Sequence, residues 1–155
     1  MKALTLWRPW PWAIFHAPAA IAKRIENRPW KPWHLIRGKR IALHAGKHWD
    51  AEGAGRILQL VLEGSRPPTR TPEHWVEEGI IGTACVDGYI EDYQLAADLG
   101  QGPWWTGPYA WVLSDVRALP RAIPCKGKQG LWTIPPEIEE QFPEIHRVTF
   151  TQREE

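Results

Sequence analysis

The chain has 155 residues, of which 43% are hydrophobic and 24% are charged, values typical of a globular domain with a substantial core. No run approaches the roughly 20 consecutive apolar residues that a membrane helix needs. Arg8 and Pro9 interrupt any apolar core of a signal peptide near the N-terminus. The sequence therefore predicts one cytoplasmic domain over residues 1–155, with no membrane contact, and leaves its oligomeric state open.

Positive charge is concentrated in one segment, although the formal net charge is only +1. Residues 23–47 contain eight lysines and arginines and a single acid, Glu26. A basic segment in an otherwise neutral protein indicates local recognition of an anion. A solvated basic surface without a ligand is the alternative.

Tryptophan is unusually frequent, with eleven residues against three each of Tyr and Phe. Several lie beside proline or glycine in predicted loops, namely Trp10, Trp12, Trp30, Trp33, Trp104 and Trp105. Most tryptophans are expected to be buried for their apolar area. A ring beside a basic cleft can instead stack on a nucleic-acid base, which contributes about 1–3 kcal/mol per base.

The first half of the chain predicts short strands and two helices, from hydrophobic alternation and the positions of proline. The strands cover residues 2–7, 23–28 and 40–45, the helices cover 10–16 and 50–63, and a loop covers 29–38. Gly46 is expected to end the third strand. A regular strand over residues 23–28 would place Glu26 and Arg28 on the face opposite Lys23.

The second half predicts more strands than helices. The helical segments are 71–79, 91–99 and 137–142, the strands are 80–86, 109–115, 131–134 and an edge strand 145–151, and the loops are 104–108 and the basic segment 125–130. No strand–helix alternation of the doubly wound type is present, and neither repeats nor linkers divide the chain. This pattern favours an α+β fold, a small curved sheet or barrel with helices at its rim.

Common catalytic and cofactor motifs are missing from the sequence, including the Gly-x-Ser-x-Gly, Gly-Lys-Ser/Thr and His-Glu-x-x-His patterns. Cys85 and Cys125 have no Cys-x-x-Cys partner and are expected to be free thiols. His44 and His48 have no third ligand nearby, so neither a metal site nor a cofactor is predicted.

The remaining chemical candidate is Lys23-x-x-Glu26-x-Arg28. A partly desolvated Lys23 could act as a base that Glu26 orients, which makes these two residues the candidate catalytic pair. A structural ion pair at a sheet edge is the alternative reading of the same spacing.

Several short motifs between residues 2 and 134 resemble, in order, those of one known family. In the first half they are Trp7-Arg8-Pro9-Trp10, Lys23-x-x-Glu26-Asn27-Arg28, Arg37-Gly38 and Ile41-Ala42-Leu43-His44-Ala45-Gly46. In the second half they are Gly82-Thr83-Ala84, Trp105-x-Gly107-Pro108-Tyr109-Ala110-Trp111 and Lys126-Gly127-x-Gln129-Gly130-Leu131-Trp132. On these motifs the chain resembles the ASCH family, which implies a small PUA-like curved β-barrel with short helices at its rim.

The family signature Gly-x-Lys-x-x-Glu-x-Arg is matched by Lys23, Glu26 and Arg28, with Ile21 in place of the glycine. Losing that glycine removes a position that tolerates positive φ. The resemblance implies binding of RNA or nucleotides in a cleft between the barrel and its helices. Together with the basic segment, it gives the expected nucleic-acid-binding residues, which are Trp10, Lys23, Arg28, Lys47, Trp105, Tyr109, Lys126 and Gln129.

Three functions are consistent with these observations. The first is binding, and in one form processing, of single-stranded RNA or a modified nucleotide, with DNA not excluded. The second is a metal-independent hydrolase, because some ASCH members are amidohydrolases acting on acetylated cytidine and others are ribonucleases. The amidohydrolases are expected to carry a threonine three residues after the lysine, where this chain has Glu26. The third is a protein-interaction domain that uses the loop from Pro29 to Trp33.

Overall fold

A computed structural model of the chain describes residues 1–64 and 77–147. Six strands form one mixed sheet in the order β2-β5-β4-β3-β1-β6. The strands are β1 (Lys2–Arg8), β2 (Ile25–Arg28), β3 (Lys39–Trp49), β4 (Gly79–Ile90), β5 (Tyr109–Ile123) and β6 (Leu131–Thr133). The helices are α1 (Trp10–Phe15), α2 (Ala51–Gly64), α3 (Tyr93–Asp98) and α4 (Pro136–Glu139), with 3-10 turns at His34–Ile36, Gly102–Trp104 and Glu144–His146.

The α+β class is confirmed, whereas closure of the sheet into a barrel is not. β1 and β3 are parallel, and the other neighbouring strands are antiparallel. Within the described residues, β2 pairs with β5 and β6 pairs with β1, but β2 and β6 do not pair with each other. A gap therefore lies between the two end strands of the sheet.

Apolar residues on both faces of the sheet fix the strands in place. One cluster joins β1, β3, β4 and β5 through Leu4, Leu43 and Leu113, and another packs the helices against β2 through Ile25 and Ile57. The side chains of these residues are at most 3% exposed. Their burial is the main source of stability that holds the sheet and helices together.

Several sequence-predicted boundaries are wrong, because tertiary pairing overrides local signals. β3 continues past Gly46 to Trp49, since Arg8 donates from Nε to the Gly46 carbonyl at 3.0 Å and from Nη2 to that of Lys47 at 3.1 Å. β4 and β5 also extend beyond the predicted limits because they pair with each other along much of their length.

Near the C-terminus, residues 144–146 form a 3-10 turn where an edge strand was predicted, and residues 148–151 of that strand lie outside the described residues. The predicted helix 137–142 is shorter than expected and spans Pro136–Glu139. The predicted helix 71–79 falls largely outside the described residues, and its last residue, Gly79, begins β4.

A second polar cluster lies within the sheet, away from the candidate motif. The side chain of Arg40 is fully buried and ion-pairs with Asp115, which also ion-pairs with Arg117 at 2.8 Å. Arg40 donates to the hydroxyl of Thr83 at 3.0 Å, and that hydroxyl lies 2.7 Å from Nδ1 of His146. The basic segment 23–47 is therefore not one surface, because Arg40 is withdrawn into this cluster.

Cys85 and Cys125 are both free thiols, the first buried and the second half-buried. None of the described helices is long and apolar enough to cross a membrane.

Candidate functional site

The predicted motif forms a compact ion cluster at the start of β2. Nζ of Lys23 lies 3.0 Å from Oε2 of Glu26, and Nε of Arg28 lies 3.6 Å from Oε1 of the same carboxylate. Arg28 also donates from Nη2 to the Thr5 carbonyl at 3.0 Å, which links β2 to β1. Glu26 is thus held between two cations on a rigid strand.

Lys23 does not belong to β2, which begins at Ile25, so the predicted opposite-face placement of Lys23 is wrong. Its backbone N–H donates to the Ala13 carbonyl at 2.9 Å, which ties it to α1. The side chain is folded back, donates to the Ile25 carbonyl and lies 5.4 Å from the centroid of the Trp10 ring. Lys23 is only 2% exposed. Its ammonium group is therefore enclosed by the Ile25 carbonyl, the Glu26 carboxylate and the Trp10 ring.

Trp10 is itself fixed by hydrogen bonding. Its indole Nε1 donates to Oδ2 of Asp50 at 2.7 Å, while the other oxygen of Asp50 accepts from the Gly53 N–H at the start of α2. A Cβ added at Gly53 would lie 2.6 Å from both Asp50 and Trp10, so glycine is required for this close approach. Asp50 therefore couples the first turn of α2 to the ring that covers Lys23.

Glu26 and Arg28 line a pocket of about 240 Å³, which we call the ion pocket. The other lining residues are Thr5, Leu6, Trp7, Trp10 and Asn27. The carboxylate accepts hydrogen bonds and the guanidinium donates them, so this pocket offers both functions beside aromatic walls. Such an arrangement can recognise a planar polar ring by hydrogen bonds to its edge and stacking on its face.

A larger cavity of about 730 Å³, the loop cavity, lies between the ends of β1 and β3 and the loop 125–130. Its lining residues are Thr5, Trp7, His44, Gly46, Lys47, His48, Glu78, Cys125, Lys126, Gly127, Lys128 and Gln129. It shares Thr5 and Trp7 with the ion pocket. The two spaces are therefore adjacent across β1.

A third cavity of about 460 Å³, the edge cavity, occupies the gap between the end strands of the sheet. It shares Arg28 with the ion pocket and Gln129 with the loop cavity. Trp30 and Trp33 on its lining are 70% and 45% exposed. The three cavities are neighbours through these shared lining residues, and we call them together the cleft from here on.

Thr5 fixes the loop 125–130 to the sheet. Its hydroxyl donates to the Lys128 carbonyl at 2.7 Å and accepts from Nε1 of Trp132 at 2.9 Å. Nε2 of His44 lies 2.7 Å from the Cys125 carbonyl, and because a carbonyl only accepts, this nitrogen carries the proton. The loop is thus a positioned wall of the cleft.

The sequence-predicted residues divide into two groups. Trp10, Glu26, Arg28, Lys47, Lys126 and Gln129 line the cleft, and Lys23 supports it from beneath Trp10. Among the described lining residues, neither Trp105 nor Tyr109 appears. Trp105 packs against the apolar cluster of α1 and β2, and the Tyr109 ring packs edge-on to Tyr89 at 6.2 Å.

Other lining or supporting residues were not among the predicted site residues. Thr5 and Trp7 precede the predicted Trp10 by a few residues in the sequence. Their two-residue spacing on a predicted strand is the sequence signal that could have placed them on one face. Asn27 lies inside the predicted motif. Its side chain donates to the Trp104 carbonyl at 2.9 Å and accepts from the Thr106 and Gly107 N–H groups. No pattern in the sequence indicates the contact of Asp50 with Trp10, because it joins separate elements.

The cleft carries more exposed positive than negative charge. Lys47, Lys126 and Lys128 are exposed on the loop cavity, where the lining carboxylate is Glu78. Glu78 ion-pairs with Arg8 at 3.5 Å. Burial, with a contribution from the charge of Glu137, raises the pKa of the Cys125 thiol and keeps it protonated. In the described part of the chain, no group of three or more His, Cys, Asp or Glu residues could hold a metal ion.

Comparison with known proteins gives one set of matches. No protein-family model and no curated protein matches the chain. Solved structures do match, among them ASCH from Zymomonas mobilis and two single-residue variants of it. The unaltered protein is 15% identical with a TM-score of 0.51, covering 90% of this chain and 90% of that chain. The two variants are 16% and 15% identical to this chain, with TM-scores of 0.51 and 0.50. Each match covers 90% of this chain, and the matches cover 92% and 94% of the variants' chains.

This chain has the ASCH-domain fold. The fold-level resemblance seen in the sequence motifs is therefore confirmed over most of the chain. At this identity the likeness concerns the fold alone, and the chemistry of the cleft follows from the residues described above.

Proposed function

We propose that this ASCH-fold domain binds single-stranded RNA or a modified nucleotide in the cleft. The observation that carries the proposal is the ion pocket, where Glu26 and Arg28 present an acceptor and a donor beside the rings of Trp7 and Trp10. Single-stranded bases are recognised in this way, by hydrogen bonds to the base edge and stacking on aromatic rings.

Each part of the cleft would have a separate task. Glu26 would accept from an exocyclic or ring N–H of the base, and Arg28 would donate to a carbonyl or ring nitrogen. Lys47, Lys126 and Lys128 line the adjacent loop cavity, where they would contact phosphate groups. Phosphate contacts supply affinity and base contacts supply selectivity, so the cleft combines both.

Lys23 supports this arrangement as a positioning residue. It is 2% exposed, and its ammonium donates to the Ile25 carbonyl and to Glu26. The ammonium also faces the Trp10 ring at 5.4 Å. Lys23 thereby orients both the carboxylate and one aromatic wall, a role that favours binding over direct participation in catalysis.

The test is a titration of the pure protein with a short single-stranded RNA, in which binding is measured by the quenching of the protein's tryptophan fluorescence. Arg28→Ala is expected to weaken binding at least about ten-fold, because an interaction worth about 1.4 kcal/mol is lost. Lys47→Ala should weaken binding and reduce the slope of log K against log salt by about 0.7, the value for one phosphate on a single strand.

Lys39→Ala is the matched control, since Lys39 is exposed on the same strand but does not line the cleft. Equal effects of the Lys47 and Lys39 substitutions, or unchanged binding by Arg28→Ala, would contradict the proposal. An absence of quenching at any salt concentration would favour the protein-interaction alternative through the exposed Trp30 loop. Competition with single-stranded DNA of the same sequence distinguishes RNA from DNA.

A small hydrolase is the second candidate, favoured by the 3.0 Å contact between Lys23 and a carboxylate that reaches the ion pocket. Mass spectrometry of RNA and of N4-acetylcytidine after incubation with the protein tests this activity. A product that disappears in Glu26→Gln and in Lys23→Met would support it. The absence of product under conditions where RNA binds would leave binding as the function.

A further inference from the structure

Trp7 occupies a distinctive position on the wall of the cleft. It lines both the ion pocket and the loop cavity, and its side chain is 56% exposed. Thr5 and Trp7 both line these two spaces, so they lie on the same side of β1. A large aromatic side chain is thus presented to solvent at the boundary between two adjacent spaces.

The Trp7 ring is supported by its neighbours. The ring of His48 lies 4.0 Å away between centroids, tilted by 52°. His48 is on β3, the parallel partner of β1, and the hydrogen bonds from Arg8 to the Gly46 and Lys47 carbonyls join the ends of these strands. Because both rings stand on paired strands, Trp7 is a preformed platform.

The two spaces differ in the size of ligand that they can accept. The ion pocket, at about 240 Å³, is smaller than the roughly 300–1,000 Å³ of pockets that hold a drug-sized molecule. It is suited to one base. The loop cavity, at about 730 Å³, lies within that range and has room for further parts of the same ligand.

The charge of the loop cavity complements a phosphodiester. Three lysines, Lys47, Lys126 and Lys128, are exposed on its lining. The carboxylate of Glu78 on the same lining ion-pairs with Arg8 at 3.5 Å, which offsets its charge. An anionic group that extends from the ion pocket past Trp7 would therefore meet a net positive surface.

From these features we infer that the cleft binds at least two linked nucleotides, with the second base stacked on Trp7. The first base occupies the ion pocket, and the phosphate that joins the two nucleotides faces the lysines of the loop cavity. This inference rests on the proposed function and specifies it, because it makes an oligonucleotide, and not a free nucleotide, the preferred ligand. Trp7 becomes a determinant of ligand length.

The test compares nucleoside 5′-monophosphates with the corresponding 5′-phosphorylated dinucleotides by isothermal titration calorimetry, which does not depend on tryptophan fluorescence. The wild-type protein is expected to bind dinucleotides at least about ten-fold more tightly, within the range of one base–aromatic stack. Trp7→Ala should reduce this ratio at least about five-fold, the lower end for one base–aromatic stack, while the contact of the linking phosphate with the lysines is kept. Trp7→Phe should restore part of the ratio.

Tyr93→Ala is the control, because Tyr93 is an aromatic residue of similar exposure, 58%, on α3 and away from the cleft. It should leave the ratio unchanged. The inference would be overturned by a dinucleotide-to-mononucleotide affinity ratio near one in the wild-type protein, or by an unreduced ratio in Trp7→Ala. In either case, mononucleotide binding that is weakened by Arg28→Ala would still support the proposed function. Failure of mononucleotides, dinucleotides and longer RNA to bind would reject both.

Discussion

Two regions of this molecule contain the same combination of charges, a carboxylate between two cations. In one, Glu26 lies between Lys23 and Arg28, and in the other Asp115 lies between Arg40 and Arg117. Each cluster includes one cation whose side chain is at most 3% exposed. By composition and burial alone, the two clusters are hard to distinguish.

Their surroundings differ. The Asp115 cluster is covered by the 3-10 turn Glu144–His146, because Arg117 donates to the Ile145 carbonyl and His146 contacts Thr83 at 2.7 Å. Its hydrogen-bonding groups are used within the protein. Glu26 instead lines a pocket with Trp7 and Trp10. An acid flanked by cations is therefore a candidate site only where adjacent space lets a ligand reach it.

The largest effect that tests this contrast is expected for Asp115→Ala. The fully buried Arg40 would lose its carboxylate, and an uncompensated buried charge costs about 3 kcal/mol of unfolding free energy. Urea denaturation would measure this loss. Asp98→Ala, at an exposed carboxylate bonded to Gln94, is the control and should change stability by less than about 0.5 kcal/mol. A similarly small effect of Asp115→Ala would mean that this cluster does not stabilise the fold.

Glu26→Gln should separate the two clusters by their effect on binding. It keeps the size of the side chain but removes the charged acceptor, so RNA affinity is expected to fall about 10- to 100-fold. The equivalent change Asp115→Asn should leave affinity within about two-fold, because Asp115 does not line the cleft. Fluorescence titration of the two variants makes the comparison. Equal losses of affinity would show that both clusters act on binding through the fold.

Asp50→Ala should have a smaller effect that extends from the fold to the ion pocket. The change removes the cap of α2 and leaves the Trp10 indole N–H without its acceptor, at a cost of about 1–2 kcal/mol. RNA affinity should also fall several-fold because Trp10 is less well positioned.

Asp92→Ala is the control for the cap alone, since Asp92 accepts from the Leu95 N–H at the start of α3 and lies away from the cleft. Thermal denaturation and RNA titration are measured for both variants. A loss of affinity in Asp92→Ala as large as that in Asp50→Ala would contradict the positioning role of Asp50.

The smallest expected effect is a pH dependence of the Asp115 cluster. Burial, and the charges of Arg40 and Arg117, lower the pKa of His146 below its ordinary value. As the pH falls, His146 is therefore protonated in the unfolded chain before it is protonated in the folded protein. The free energy of unfolding decreases as the pH drops below about 6.5 toward the folded pKa of His146. The slope from one such group is at most about 1.4 kcal/mol per pH unit.

His146→Asn should flatten this dependence between about pH 5 and 7 in urea denaturation, because the titrating group is removed. His16, whose pKa is also lowered by burial, contributes in the same direction and would persist in the variant. An unchanged slope in His146→Asn would show that the C-terminal turn does not sense protonation.

Much of the fold could be predicted from local patterns. The alternation in β1 and the apolar stripe that buries Ile57 and Val61 on α2 both correspond to elements in the structure. Boundaries that depend on pairing could not be predicted, as at Gly46, where a usual strand-ending residue lies inside β3. Backbone hydrogen bonds to a distant strand or side chain decide such positions, and their partners are far away in the sequence.

The candidate site shows the same division. The sequence by itself determined that Glu26 and Arg28 would lie side by side, because residues two apart on a strand share one face. Only the tertiary structure decided that Lys23 is folded beneath Trp10, that Arg40 belongs to a different cluster and that Trp7 faces the cleft. Charge and residue type are local properties, whereas burial and adjacent space depend on which distant segments pack against each residue.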